Sequence, residues 1–245
     1  MITRVSAIAG AVFLDAVKRR VVYLVLFFGV VMALAIPALP SYSTGVQAAV
    51  YREMALALTF LAALVLTLGL SANRIPGEIE HRTVYAVLSK PVGRWEYMAG
   101  TWLGIFGVVG VCIVGFVAVD VAVGWLVYKE FMFRLFEGAY AVWLEMGVLA
   151  AFATAVSGLS GGIVVTTASL TFLFAGHSRG ALFPNGMTPL AQLLFPSLDS
   201  FDVVNPVAHG TGYGPIYAGL MTATFLGWAC VLLLLGSVAF ARRDM

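Results

Sequence analysis

Between Trp102 and Val127 the only charged side chain is Asp120, and at least three other stretches are almost as apolar. A run of this kind matches the ~20 residues that a helix needs to cross a hydrocarbon core. Lipid offers nothing to hydrogen-bond to, so a spanning segment has to be a helix or part of a closed barrel. Barrel strands alternate polar and apolar residues, and these runs do not. The expected fold is therefore all-α and polytopic. With 61% apolar and 11% charged residues, the chain could not cover a soluble surface, for which about 25% charged is usual.

Six spans are expected: Val21–Leu39, Val50–Leu70, Trp102–Val127, Ala139–Ser157, Gly161–Ala175 and Ile216–Phe240. The fourth and fifth must be an antiparallel pair joined by a tight Ser157–Gly162 turn, and the fifth is short for a full crossing. Residues 1–20 form an amphipathic helix, with Val5, Ala9, Val12, Phe13, Ala16 and Val17 on one arc and Arg4, Asp15, Lys18 and Arg19 on the other; Ile8 and Leu14 fit less well. This reads as an interfacial helix feeding the first span. A signal peptide starting at Lys18-Arg19-Arg20 is the weaker reading, because its flank is too long.

Lys and Arg placement sets the orientation. With both termini cytoplasmic, ten of the 14 basic residues fall inside: Arg4, Lys18, Arg19, Arg20, Arg74, Arg82, Lys90, Arg94, Arg242 and Arg243. Arg52, Lys129, Arg134 and Arg179 fall outside, which agrees with the positive-inside rule. Residues 71–101 are then a cytoplasmic loop. Residues 176–215 are an outer segment holding five (Pro184, Pro189, Pro196, Pro206 and Pro215) of the 9 prolines. Short apolar pieces between those Gly and Pro brackets suggest a re-entrant segment, tolerable where protein satisfies its backbone.

The cytoplasmic loop is the one dense island of charge. Pro76 suits the first turn of a helix, and Glu78 and Glu80 suit the positive end of its dipole. Such a helix can run to Ser89 but not into Pro91. After the break, Arg94-Trp-Glu-Tyr begins a second piece leading into the third span, with Trp95, Tyr97 and Trp102 at interface depth. The residues alone leave two readings open, a passive interfacial elbow and a docking helix for a soluble partner.

Glu78-Ile-Glu-His-Arg-Thr-Val-Tyr-Ala-Val-Leu-Ser-Lys-Pro-Val-Gly-Arg-Trp-Glu96 resembles the cytoplasmic loop of ABC-2 type transporter permeases. Those read E-I-E-R-[RG]-T-[IL]-x-x-[LV]-L-[SA]-x-P-[VL]-[SG]-R-x-[EQ]. The entry segment Phe13–Leu24 and the tail Phe240–Asp244 also resemble that family, nearest to the branch linked to multi-copper enzyme maturation. The resemblance implies the membrane subunit of an ATP-driven exporter in the prokaryotic cytoplasmic membrane. Residues 76–89 would then dock into a separate ABC ATPase present in two copies, through Glu78, Glu80 and Arg82 as polar contacts and Ile79 and Leu88 as apolar ones. A second permease copy or a paralogue would complete the core, among membrane lipids. ATP and Mg²⁺ would belong to the partner, since none of the three lysines, Lys18, Lys90 and Lys129, follows a glycine and no phosphate-cradling loop is present. A scaffold or force transducer driven by the same ATPase and acting on an extracytoplasmic partner is the alternative. Net charge of +2 gives no sign of nucleic acid.

Asp120 and Glu145 are expected at similar depth below the outer end of antiparallel spans. They either line a substrate pathway, as ionisable groups at depth commonly do, or sit at a wet interface near Lys129 and Arg134. Gly158-Leu-Ser-Gly161 matches a serine-protease motif, but a helical rise sets His177 ~25 Å from Ser160. Cys112 and Cys230 could offer soft ligands to copper, though a free cysteine more often packs as a small hydrophobe. No metal or catalytic residue is therefore assigned.

Overall fold

A computed structural model describes residues 2–18, 27–28, 30–31, 44–80, 93–179 and 196–241. Among them there is no strand. The helices are α1 (Ile2–Lys18), α2 (Thr44–Glu80), α3 (Arg94–Tyr128), α4 (Leu135–Ser157), α5 (Gly162–His177), α6 (Val204–Ala208) and α7 (Pro215–Ala241), with a 3-10 turn over Leu198–Phe201. Four of these are long and apolar enough to cross a membrane: Gln47–Gly77, Arg94–Tyr128, Leu135–Ser157 and Pro215–Phe240. α5, with 16 residues, is apolar but shorter than a crossing. The expected first span falls almost wholly outside the described residues; 27–28 and 30–31 are helical.

α4 is the centre of the bundle. In its apolar window 72% of residues are enclosed, against 28% for α7, so α4 is wrapped by helices while α7 faces outward. Small residues make this possible: Ala141, Ala150, Ala151 and Ala153 are fully covered, and without bulk at those positions neighbouring backbones approach closely. An aromatic stack ties α3, α4 and α7 together. Phe106 lies 4.3 Å from the Trp143 ring and 5.1 Å from that of Phe225, with Trp102 at 5.6 Å on its other side. Both indoles are satisfied across the α3–α4 seam, Trp102 Nε1 donating to the Gly147 carbonyl at 2.9 Å and Trp143 Nε1 to that of Phe106 at 3.0 Å.

α4 and α5 form the expected antiparallel hairpin. Its turn is closed by the Leu159 and Ser160 amides on the Val156 carbonyl, and Phe152 stacks on Phe172 at 4.1 Å.

Three expectations are revised. Pro76 does not open a separate helix, because residues 44–80 form one helix with Pro76 inside it. Proline removes the donor to the carbonyl four residues back, here Ala72. That oxygen faces Gly162 at the start of α5, where there is no side chain to meet it. Second, α1 is not laid against lipid by its apolar arc. It runs alongside the first third of α3 in the same direction, Ile8 seated on Gly100 and Val12 on Gly104, and Val12 and Ala16 are buried. A small-xxx-small row on α3 admits the close approach. Third, only Trp95 of the three expected interface aromatics is exposed; Tyr97 is buried and Trp102 belongs to the stack.

The segment after residue 195 folds back into the bundle. Leu198, Phe201, Val203 and Val207 are buried. Arg52 of α2 donates to the Ala208 carbonyl at 3.0 Å, and Tyr213 to that of Glu137 at 2.7 Å.

Candidate functional site

α2 and α3 are longer than a crossing needs. With 37 and 35 residues they measure about 55 and 52 Å, far beyond a ~30 Å hydrocarbon core. Their ends that lead into the charged island are tied to both termini of the chain. Arg74 pairs with Asp15 of α1 at 2.6 Å, and Glu96 lies 3.9 Å from Arg4 while accepting the Gly93 amide at 3.0 Å. Arg94 donates to the Phe240 carbonyl at 2.9 Å and lies over its ring, where a cation is favoured by the exposed last carbonyls of α7. α1, α2, α3 and α7 are thus clamped into one base. Glu78, Ile79 and Glu80 stand in the last described turn of α2, and Arg82 and Leu88 lie outside the described residues.

Asp120 and Glu145 lie inside the bundle, 4% and 3% exposed. Both are closed off by the surrounding helices. α3 continues to Tyr128 and α4 begins at Leu135, so both carboxylates sit more than one turn inside their helices. Lys129 instead lies over the Trp125 ring, and Arg134 pairs with Glu137. Asp120 Oδ2 accepts the Thr59 hydroxyl at 3.2 Å, while Tyr51 donates to the Asp120 main-chain carbonyl at 2.7 Å.

Glu145 is met from α5. His177 Nε2 stands 3.5 Å from its Oε1, and the Phe60 ring closes edge-on against the imidazole with centroids 6.3 Å apart. Thr59 and Phe60 are neighbours on α2, so Asp120 and the Glu145–His177 contact meet that helix at one level of the bundle. His177 was weighed in the sequence only as a base for Ser160. The whole length of α5 separates those two residues. A usable signal was present, since Glu145 and His177 stand at comparable distances from the 157–162 turn, and a hairpin brings such positions together.

Between α3 and α4 the outer surface opens into an apolar groove of about 460 Å³, lined among others by Val111, Val114, Phe136, Tyr140 and Trp143. Its polar groups are already engaged: the Tyr140 hydroxyl with that of Thr222 at 2.8 Å, and the Trp143 indole with the Phe106 carbonyl. The groove therefore suits hydrocarbon rather than a polar solute. Cys112 is buried and Cys230 exposed; among the described residues no three of His, Cys, Asp and Glu are grouped to hold a metal ion.

No protein-family model and no curated protein matches this chain.

Proposed function

We propose that the chain is the permease subunit of an ATP-binding cassette exporter of the ABC-2 type, with six spans, both termini cytoplasmic, and a separate ATPase bound at residues 76–89. The observation that carries this reading is the clamped base. Two helices exceed the thickness of a bilayer, and at the ends that lead into the charged island ion pairs bind them to α1 while Arg94, on the Phe240 carbonyl and ring, binds α3 to α7. A push delivered to the island would move four helices together rather than flex one loop. The island motif supplies the second support, and this reading assigns nucleotide to a partner chain, in keeping with a sequence that shows no phosphate-cradling loop. Asp120 and Glu145 are then ionisable groups buried within the bundle, and groups so placed mark pathways.

The test is affinity purification of the chain from its native membrane, with nucleotide hydrolysis measured in the eluate. The double variant Glu80→Ala with Arg82→Ala is expected to insert normally and to lose most of the co-purifying hydrolysis. Equal hydrolysis with the two forms overturns the docking role.

A further inference from the structure

Glu145 has one basic group within ion-pair distance among the described residues, the His177 imidazole, and that contact fixes a proton count. His177 Nδ1 lies 3.2 Å from the Leu173 carbonyl. A carbonyl only accepts, so Nδ1 carries a hydrogen. In a neutral ring Nε2 is then a bare lone pair, facing Glu145 Oε1 at 3.5 Å. Oε1 is shut from solvent and has no hydrogen-bond partner among the described residues, Nε2 standing at ion-pair distance only, so an ionised Oε1 opposite a bare nitrogen would lack compensation there. One proton, on Nε2 or on Oε1, removes the conflict, giving an ion pair in one case and a neutral acid–imidazole contact in the other.

The surroundings give that proton a route. The Glu145 side chain is 3% exposed and that of His177 34%, so the imidazole stands between the acid and the surface. From the segment after residue 195, the carboxylates of Asp202 and Asp199 act on Glu145. α2 presents the uncharged Phe60 ring. The acid of α3, Asp120, is engaged by Thr59, and His209 beyond α6 has Nδ1 on the Asn205 carbonyl. Among the described residues no ion pair joins a Lys or Arg to Glu145.

We infer that Glu145 and His177 form a one-proton exchange site, in which the partly exposed imidazole passes a proton between the surface and the buried carboxyl and so fastens α5 to α4. Releasing the proton leaves like lone pairs facing each other in a closed pocket, and the hairpin opens at that end. The site needs no assumption about which ATPase or substrate the bundle serves, and its test does not use ATP turnover.

Infrared spectroscopy of the full chain in liposomes, titrated from acid to alkaline pH, reads the proton directly. The expected result is loss of one carboxyl or imidazolium signal as pH rises, absent in Glu145→Gln. A second readout is the distance between spin labels at positions 136 and 174, both exposed, in a background with Cys230→Ser. A longer-distance population should grow with pH in the parent and stay constant in Glu145→Gln, whose amide can donate its NH2 to a bare Nε2 or accept on its oxygen from a protonated one. A parent with no titrating signal and a constant distance overturns the proposal, as does a Gln variant that titrates like the parent. Should the variant fail to insert, the parent titration alone decides.

Discussion

The carbonyl oxygen of Ala72 faces Gly162 so closely that a Cβ on that glycine would lie 2.7 Å from it. Pro76 deprives this oxygen of its helical donor, and the first amides of α5 have no acceptor within their own helix. Glycine at 162 leaves room for that oxygen, and α2 continues through the proline. Gly162→Ala is therefore expected to part α2 from α5 and to cost about 1–3 kcal/mol as an overpacked contact. Gly161→Ala, with open space around it, should be close to neutral. Thermal unfolding in detergent compares them, and equal Tm values for the two variants would refute the account.

The docking of α1 rests on Gly104 in the same way. A Cβ there would lie 2.6 Å from Val12 Cβ and 2.9 Å from the Ala9 carbonyl, so neither side chain nor backbone can yield cheaply. Gly104→Val should raise amide hydrogen exchange throughout α1. Gly107→Ala meets only Phe13, at an ordinary 3.7 Å, and should leave exchange unchanged.

Thr59→Val should destabilise the bundle by about 1–3 kcal/mol, because it keeps the shape but strips Asp120 Oδ2 of its donor. Thr59→Ser restores the hydroxyl and should recover most of that loss. If valine and serine behave alike in denaturation, the contact to Asp120 contributes nothing.

Tyr213 carries a pH-dependent share of stability at the end opposite the island. Burial foremost, then the neighbouring Glu137 and Tyr140, push its phenol from 10.0 up to about 12. A raised value favours the protonated, donating form in the folded state. The contribution is thus complete below pH 10 and drains away as pH rises toward 12. The stability gap between the parent and Tyr213→Phe should be constant from pH 7 to pH 10 and change above it, in Tm measured across that range. A gap that already varies near neutrality contradicts the assignment.

Arg94→Ala should release the end of α7, since its guanidinium both bonds the Phe240 carbonyl and covers the Phe240 ring. Faster amide exchange in residues 236–241, with α4 unaffected, is the expected outcome. Lysine at this position can reach the carbonyl but lacks the planar face, and should recover only part of the protection.

Most helix positions were legible in the residues. The long apolar runs placed α4 and α7 to within a few residues, because in lipid a backbone must satisfy itself, while α2 and α3 extend well past their apolar runs at every end but the last of α3. The α4–α5 hairpin followed from the short glycine-rich turn. What misled was Pro76, read as a helix start from local rules alone; those rules could not know that a glycine on another helix would receive the freed carbonyl. α1 misled similarly: its apolar arc was drawn without Ile8, which seats on Gly100, and was read as interfacial because the glycines that accommodate it lie on α3.

The sequence by itself determined that this chain is helical, how long its apolar helices run, and that its charge is concentrated at residues 74–96. Only the tertiary structure decided that Asp120 finds Thr59, that Glu145 finds His177, and that both contacts meet α2 at one level of the bundle. The reason is physical: hydrophobic run length is a property of each segment with its solvent, whereas the partner of a buried polar group depends on how helices far apart in the chain are rotated against one another. That rotation is set by where small residues let backbones approach, and no single segment contains it.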